Sequence, residues 1–366
     1  MASPSTLLMI GTRKGLWLAT SDDERQKWEV TGPLFPMEEV YSVHLDTRRS
    51  TPRLLAGCSS SWFGPQLRRS DDLGTTWQET PNGAIRFPED TGVALARIWQ
   101  IVPGVGEDVV WAGTEPGAIF RSTDGGESFE LVRGLWDHPH RTEWNEGYGG
   151  QAFHTILPHP VDGDSVLAAI STGGVYRTGD GGASWEASNT GVKAEFMPGE
   201  RFYPEFGQCV HKVARDPGDP DRLFLQNHGG VYRSDDGGAT WHDIAPGLPS
   251  EFGFAMVTHP RRSGTAYTFP IADAGGRWPV DGRARVWRTT DAGSSWSELG
   301  DGALPDDYYA AVMRDAMCVD SHDPAGLYLG GRNGAVWGSP DEGETWQQIA
   351  SGLPDVMVVR ASRIPV

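Results

Sequence analysis

Short apolar stretches alternate with turns along the whole chain, and residues 206–241 show the pattern most clearly. Their sequence, FGQCVHKVARDPGDPDRLFLQNHGGVYRSDDGGATW, contains three runs in which apolar and polar positions alternate. This alternation predicts β-strands over residues 209–214, 222–226 and 230–234, and Asp216-Pro217 predicts a turn after the first strand. The chain has no long amphipathic helical pattern. The sequence therefore predicts an all-β protein.

The segment ends in SDDGGATW, an octet of the form Ser/Thr-x-Asp-x-Gly-x-x-Trp that recurs along the chain. Six copies, one with Phe in place of Trp, begin at Ser70, Ser122, Thr178, Ser234, Thr289 and Ser339. A seventh, degenerate copy is Ser21-Asp23-Trp28, with Arg25 in place of glycine. A period of about 50 residues is typical of propeller blades rather than helical solenoids. Seven copies predict a seven-bladed β-propeller with four-stranded blades.

The octet has a structural logic of its own. Its Ser and Asp side chains accept hydrogen bonds from backbone N–H groups in the turn, its Gly takes a strained backbone conformation, and its Trp packs between sheets. We therefore expect the repeats to stabilise the fold and to take no part in chemistry.

The two ends of the chain are expected to share one blade. The C-terminal stretch Val356-Met-Val-Val-Arg-Ala-Ser-Arg-Ile has the pattern of an inner strand with no blade after it. The N-terminal Leu7-Leu-Met-Ile has the pattern of a second strand with no inner strand before it. Pairing them would close the ring and remove exposed sheet edges. The sequence thus predicts a single domain, residues 1–366, with a composite blade from residues 1–33 and 354–366.

The octets resemble the Asp-box, or BNR, repeat of a β-propeller superfamily that includes sialidases, sortilin-type receptor domains, xyloglucanases and photosystem II assembly factors. The resemblance covers essentially the whole chain. It implies that the boxes lie at the blade periphery, away from a central site, and it does not by itself imply a reaction.

Charge and cysteine content narrow the possible partners. The 366 residues carry a formal net charge of -18, which argues against binding to nucleic acid or anionic lipid, since both need clustered Lys and Arg. Three cysteines form no spaced framework, and the N-terminus lacks a signal-peptide pattern. No apolar run approaches the roughly 20 residues of a membrane helix. We expect a reduced, cytoplasmic protein with no membrane or nucleic-acid partner, and the sequence does not indicate its oligomeric state.

One position in each inner strand carries the candidate chemistry. Alignment of the apolar patterns predicts a channel-facing row, which consists of His44, Gln100, His154, His211, Met256, Arg314 and Arg360. His44, His154 and His211 can together bind a divalent transition metal, Fe, Cu, Mn or Zn, with an open coordination position. Arg314 and Arg360 would bind an anionic substrate group, and Gln100 is a further substrate-binding candidate. Alternatively, these side chains bind channel water and one another.

Loops that enter the inner strands supply further candidates. Residues 136–150 and 201–208 are rich in aromatic and acidic residues. Glu143 and Glu146 are candidate acid–base carboxylates, beside the aromatic substrate walls Trp144, Tyr148 and Tyr203. The alternative is that these are surface loops rich in Trp and Tyr.

Blade four adds two candidates near His211. His228 lies in the turn between the second and third strands, and we expect it to act as a fourth ligand or a proton carrier. Cys209 shares the channel-facing phase of His211, but a lone buried thiol is more often inert.

Three functions follow from these residues. A metal-assisted enzyme with a small, possibly anionic substrate explains the row of His and Arg best, and no organic cofactor is evident. The second is a sialidase-like glycoside hydrolase, in which Arg314 and Arg360 would clamp a carboxylate and Tyr308 or Tyr309 would be the nucleophile. Arg363-Ile-Pro365 is similar to the Arg-Ile-Pro signature of sialidases, although it lies at the C-terminus. The third is a non-enzymatic binding scaffold, similar to the assembly factors.

Overall fold

The computed structural model describes residues 5–80, 83–145, 150–194, 196–197 and 202–364. The strands are β1 (Thr6–Thr12), β2 (Gly15–Ser21), β3 (Glu29–Leu34), β4 (Glu39–Asp46), β5 (Arg53–Ser60), β6 (Gly64–Ser70), β7 (Gln78–Glu79), β8 (Arg97–Pro103), β9 (Val110–Glu115), β10 (Ala118–Ser122), β11 (Glu130–Leu131), β12 (Phe153–Pro158), β13 (Val166–Ile170) and β14 (Gly174–Thr178). They continue as β15 (Glu186–Ala187), β16 (Val210–Arg215), β17 (Leu223–Asn227), β18 (Val231–Ser234), β19 (His242–Asp243), β20 (Gly253–Thr258), β21 (Ala266–Pro270), β22 (Val286–Thr289), β23 (Ser297–Leu299), β24 (Val312–Val319), β25 (Leu327–Gly331), β26 (Val336–Ser339), β27 (Gln347–Ala350) and β28 (Val356–Arg363).

Helix is confined to short segments in the part of the chain that the structure describes. These are α1 (Arg133–Trp136) and the 3-10 helices Glu89–Thr91, Pro139–Glu143 and Val280–Gly282. None of these helices is long and apolar enough to cross a membrane. The predicted all-β class is therefore confirmed.

The strands form antiparallel sheets whose members follow one another along the chain. Within the described residues there are five four-stranded sheets, β4–β7, β8–β11, β12–β15, β16–β19 and β20–β23, and one eight-stranded sheet. The order in the eight-stranded sheet is β27-β26-β25-β24-β28-β1-β2-β3. Sequential four-stranded meanders of this kind are the building units of a β-propeller.

The chain divides into two compact units. One comprises Met1–Met37, His211–Gly237 and Trp241–Val366, and the other comprises Glu38–Val210 and Gly238–Thr240. The apolar core of the first unit includes Tyr267, Phe269 and Val312, all fully buried. The core of the second includes Trp111 and Phe153.

Strand β28 pairs with β1, so the two ends of the chain lie in one sheet. The register runs antiparallel from Thr6 opposite Arg363 to Thr12 opposite Val356. Valines 356, 358 and 359 are buried along this strand. A single parallel pairing, Asp315 with Val358, links β28 to β24 and so joins the two halves of the eight-stranded sheet.

The Asp-box turns have the hydrogen bonds that their sequence predicts. In the copy that begins at Thr178, the hydroxyl donates to Asp180 Oδ1 at 2.7 Å and accepts from Gly182 N at 3.1 Å. Asp180 also accepts from the backbone and hydroxyl of Ser184, at 2.9 and 2.6 Å. Trp185 Nε1 donates to Gly182 O at 3.2 Å. Each box is thus a closed turn whose polar side chains bind local groups.

Candidate functional site

The inner strands contain a register shift near their start, which the apolar pattern did not reveal. One extra residue is inserted in each of three sheets: Tyr41 in β4, Trp99 in β8 and His154 in β12. Measured from these residues, His44 lies three positions later and Gln100 one position later. His44, Gln100 and His154 therefore occupy different positions relative to this shift, and their placement in one channel-facing row stays a prediction. An inserted residue reverses the side-chain alternation that follows it. The position of such an insertion cannot be read from an alternating apolar pattern.

The shift in β24 is larger than those in β4, β8, β12 and β20. Val312 pairs with Gly331 and Met317 with Leu329, so four residues, 313–316, lie opposite the single Gly330. In β20, by comparison, two residues lie opposite one. The additional residues of β24 include Arg314 and Asp315, whose charged side chains are both buried.

His211 lies at the centre of a group of aromatic and cationic side chains. Its ring centroid is 4.7 Å from that of Phe254, 5.5 Å from that of Phe252 and 5.5 Å from that of His228. The ring of His228 is 5.0 Å from Phe252. Strand β16 supplies His211, the turn after β17 supplies His228, and β20 with its entry supplies the two phenylalanines. We call these four residues the histidine cluster.

Two arginines lie over the ring of Phe254, one of the four residues of the histidine cluster. The guanidinium carbon of Arg314 lies 5.2 Å from the Phe254 ring centroid, and that of Arg277 lies 5.7 Å from it. Both are within the range of a cation–π interaction. Burial, followed by the positive charge of Arg314, lowers the pKa of His211 well below its ordinary value. The imidazole is thus neutral near pH 7, with positive charge beside it.

His211 is oriented by the backbone of the neighbouring strand. Its Nδ1 is 2.6 Å from Gly253 O. Because a carbonyl can only accept, Nδ1 carries the proton and Nε2 carries the lone pair of the neutral ring. Metal-binding histidines are usually fixed by a hydrogen bond of this kind.

Cys209, His211 and His228 form a group suited to a metal ion. Each offers one ligand atom, and these atoms lie within 4.8 Å of one another. Cys209 precedes β16 and lies two residues before His211. A thiolate and two imidazoles favour Zn or Cu over Mn. Of the predicted ligands His44, His154 and His211, the last alone belongs to this group, and the three-histidine set stays a prediction.

The structure places His44 and His154 within their own sheets. His44 is half-buried on β4 and pairs with Leu55 on β5. His154 is buried, and its Nδ1 is 3.1 Å from the hydroxyl of Thr155.

Arg360 is half-buried and pairs with groups of the protein itself. Its guanidinium forms an ion pair with Asp315 and donates to the Asp315 carbonyl at 3.1 Å. Lys212 Nζ lies 2.7 Å from the same carboxylate. Burial raises the pKa of Asp315, but the charges of Lys212 and Arg360 outweigh that effect and hold the pKa below its ordinary value. This buried network disfavours the predicted substrate-binding role of Arg360.

Three further predicted site residues, Gln100, Trp144 and Tyr308, are buried. Gln100 Oε1 accepts a hydrogen bond from the backbone N–H of Ile156. Trp144 packs against Phe153, and its indole N–H donates to the Tyr176 hydroxyl at 2.9 Å. Tyr308 is 1% exposed, and burial raises the pKa of its hydroxyl. Burial disfavours the predicted substrate roles of Gln100 and Trp144 and the predicted nucleophilic role of Tyr308.

The remaining candidates are on loops. Glu143 is exposed at the end of a 3-10 helix, and Tyr203 is 59% exposed beside Phe202. Glu146 and Tyr148 lie outside the described residues.

Arg277 is a functional candidate that the sequence did not indicate. It lies in the long loop between β21 and β22, outside the inner strands that the alignment compared. Among the described residues it has no carboxylate within 4.0 Å. The sequence contains one feature that could have indicated it, because Arg277 precedes Trp278 in the Gly- and Asp-containing loop IADAGGRW.

Comparisons with known proteins support the repeat and the fold. Residues 232–243 match the family model of the BNR/Asp-box repeat. The structure of YCF48 bound to D1 peptide has a TM-score of 0.53 and 14% identity, covering 95% of this chain and 86% of that one. An ancestral GH74 enzyme has a TM-score of 0.57 and 16% identity, covering 85% of this chain and 38% of that one. The resemblance to Asp-box propellers is thereby confirmed.

Curated proteins with similar sequences include xyloglucanases and a photosystem II assembly protein. An oligoxyloglucan-reducing end-specific xyloglucanase of Emericella nidulans is 26% identical over 275 residues, 65% of this chain and 30% of that protein. The photosystem II assembly lipoprotein Ycf48 of Synechococcus sp. (strain CC9902) is 24% identical over 282 residues, 77% of this chain and 68% of that protein. The chain thus spans about 30% of the length of the xyloglucanase.

Proposed function

We propose that this Asp-box β-propeller is an enzyme that binds a small molecule through an anionic group at the histidine cluster. The observation that carries the proposal is the presence of two guanidinium groups, Arg277 and Arg314, over the same phenylalanine ring. Guanidinium groups bind carboxylate and phosphate through paired hydrogen bonds. Aromatic rings with a few convergent polar groups are typical linings of small-molecule sites.

The proposed enzyme is metal-assisted, with Cys209, His211 and His228 as ligands. Two imidazoles and one thiolate leave an open position on a four-coordinate metal, as in catalytic zinc sites. The metal would act there as a Lewis acid toward the bound substrate, with Arg314 and Arg277 on its anionic group. His228 is thus proposed as a ligand in the place of His44 or His154.

Elemental analysis of protein purified without an affinity tag or chelator tests the metal. We expect near-stoichiometric Zn or Cu in the unaltered protein and its loss from the Cys209→Ser/His228→Ala double variant. His242→Ala is the matched control, because His242 is exposed on β19. A protein that stays free of metal after reconstitution, or a double variant that keeps its metal, would contradict the assignment.

The proposed architecture is a ring of seven blades. The eight-stranded sheet consists of two four-stranded halves that share one parallel pairing, so it counts as two blades beside the five separate sheets. The composite half, β28-β1-β2-β3, would be the blade that closes the ring.

A glycoside hydrolase is the second candidate, favoured by the similarity to xyloglucanases. This similarity makes a saccharide a reasonable substrate for the same site. Hydrolysis of xyloglucan oligosaccharides that is lost on mutation of Glu143 and unaffected by removal of metal would favour this candidate over the first.

A further inference from the structure

Two exposed aromatic side chains stand beside Arg277. Trp278 is 41% exposed and Tyr309 is 67% exposed, and their ring centroids are 6.1 Å apart at an interplanar angle of 75°. A Cβ added to Gly276 would lie 3.0–3.1 Å from the indole, and one added to Gly282 would lie 3.0–3.2 Å from the Tyr309 ring. Each ring therefore rests on glycine backbone, and together the two rings form an open corner.

The loop that carries Arg277 and Trp278 is held in place by its own hydrogen bonds. Asp273 Oδ1 accepts from the backbone N–H groups of Gly275 and Gly276, both at 2.7 Å. Ala272 N donates to Trp278 O at 2.8 Å, which closes the loop at its base. The aromatic corner is thus presented on a braced loop.

Arg277 has an unfavourable backbone conformation for an arginine. Its φ is 55°, in the left-handed region that favours glycine or asparagine. Its Nε donates to Ala274 O at 3.1 Å, and its guanidinium carbon lies 5.7 Å from the centroid of the Phe254 ring. The side chain of Arg277 thus extends from the loop that carries Trp278 to the Phe254 ring of the histidine cluster, and a left-handed backbone at a residue other than glycine is often found at binding sites.

We propose that Arg277, Trp278 and Tyr309 bind the ring of a sugar acid, with the pyranose against the indole and the carboxylate on Arg277. Because the two rings are nearly perpendicular, they cannot enclose a flat molecule between them. The face of the indole can instead stack on a pyranose, while the Tyr309 ring contacts the edge of that pyranose. The open corner leaves the hydroxyl groups of the sugar in water. This inference rests on the proposed function, because it names the substrate class of the same site.

Binding of glucuronate, followed by isothermal titration calorimetry, tests the substrate class. We expect glucuronate to bind more tightly than glucose, which lacks the carboxylate, and more tightly than benzoate, which has the carboxylate on a flat ring. Equal binding of glucose would overturn the role of the carboxylate, and tighter binding of benzoate would overturn the sugar ring.

Two variants test the residues. Trp278→Ala should weaken glucuronate binding by about three- to tenfold, in line with the energy of one aromatic stacking contact. Trp62→Ala is the matched control, because Trp62 is also a loop tryptophan and is 88% exposed. If the two substitutions weakened glucuronate binding equally, or if Trp278→Ala did not weaken it, the aromatic corner would not be the binding surface.

Arg277→Gly separates a binding role from a structural one. Glycine relieves the positive φ, so the variant should unfold at the same temperature as the unaltered protein or at a higher one. Its affinity for glucuronate should fall by roughly tenfold or more, because a hydrogen bond to a charged group is lost. A lower unfolding temperature with unchanged affinity would show that Arg277 stabilises the fold, and would overturn the proposal.

The failure of this inference and the failure of the proposed function give different results. Arg314→Gln tests the latter, with inorganic phosphate and benzoate as simple anions. If these anions bind and Arg314→Gln weakens them, while Trp278→Ala leaves glucuronate binding unchanged, the sugar-acid corner fails and the anion site survives. If neither simple anions nor glucuronate bind to the metal-loaded protein, both proposals fail.

Discussion

Arg25 has the backbone conformation of the glycine that it replaces in the degenerate Asp-box. Its φ is 54°, and its carbonyl accepts the indole N–H of Trp28 at 3.1 Å, as Gly182 does for Trp185. Its guanidinium forms a buried ion pair with Asp320 at 3.0 Å. The turn is therefore retained although the sequence has lost the glycine, because the ion pair offsets the strained backbone.

Arg25→Gly should destabilise the protein even though glycine suits the backbone better. The relief of strain is worth about 1 kcal/mol, whereas Asp320 left as an unpaired buried charge costs about 3–5 kcal/mol. We expect the free energy of unfolding, measured with denaturant, to fall by about 3 kcal/mol.

Arg283→Ala is the control, since Arg283 forms only exposed ion pairs in the described structure, and we expect its unfolding curve to be unchanged. An Arg25→Gly variant as stable as the parent would contradict the role of the buried pair.

The Asp-box carboxylates make the stability of the fold depend on pH. Hydrogen bonds from Thr76 and Ser70 lower the pKa of Asp72 to about 2. Hydrogen bonds from Ser184 and Thr178 lower the pKa of Asp180 to about 2 as well. A carboxyl group whose folded pKa lies below its unfolded value stabilises the protein above the unfolded pKa, and this stabilisation is lost as pH falls.

We expect the free energy of unfolding to decrease as the pH falls from about 4, the pKa of aspartate in the unfolded chain, to about 2, the pKa of Asp72 and Asp180 in the folded protein. The Asp72→Asn/Asp180→Asn variant should have a lower unfolding temperature than the parent at pH 7, and the difference should narrow toward pH 2. Calorimetry across this pH range measures it.

Glu107→Gln is the control, because Glu107 is exposed, and its unfolding temperature should equal that of the parent at every pH. If the difference in unfolding temperature between the double variant and the parent stayed constant from pH 7 to pH 2, the two carboxylates would contribute no pH-dependent stability.

At the scale of the whole molecule, pairing of the chain ends is the feature on which the fold most depends. Strand β28 buries Val356, Val358 and Val359 and fills the position beside β1. Without it, the backbone of β1 and a row of apolar side chains would be exposed to water, which favours aggregation.

A chain that lacks residues 354–366 should therefore fail to fold, and a synthetic peptide of residues 354–366 should restore folding by adding the missing strand. Circular dichroism and size-exclusion chromatography measure the recovery. A peptide with Val358→Asp should not restore folding, since it would bury a charge. A truncated chain that folds without the peptide would contradict the prediction.

The sequence by itself determined the repeats, the all-β class and the pairing of the chain ends, because each depends on local patterns. Alternation specifies strands, Ser-x-Asp-x-Gly-x-x-Trp specifies a turn that closes on its own hydrogen bonds, and an unpaired apolar strand at either end requires a partner.

The tertiary structure decided the site. Register shifts at Tyr41, Trp99 and His154 give the inner strands different offsets, which the apolar pattern did not show, because one inserted residue changes the face that each later side chain occupies. Arg360 pairs with Asp315, a partner distant in sequence, which disfavours its predicted role. Arg277, the residue proposed in the site, comes from a loop outside the inner strands that the sequence comparison aligned. The aromatic, cationic and thiol groups around His211 come from separate strands and loops, and only folding brings them within reach of one another.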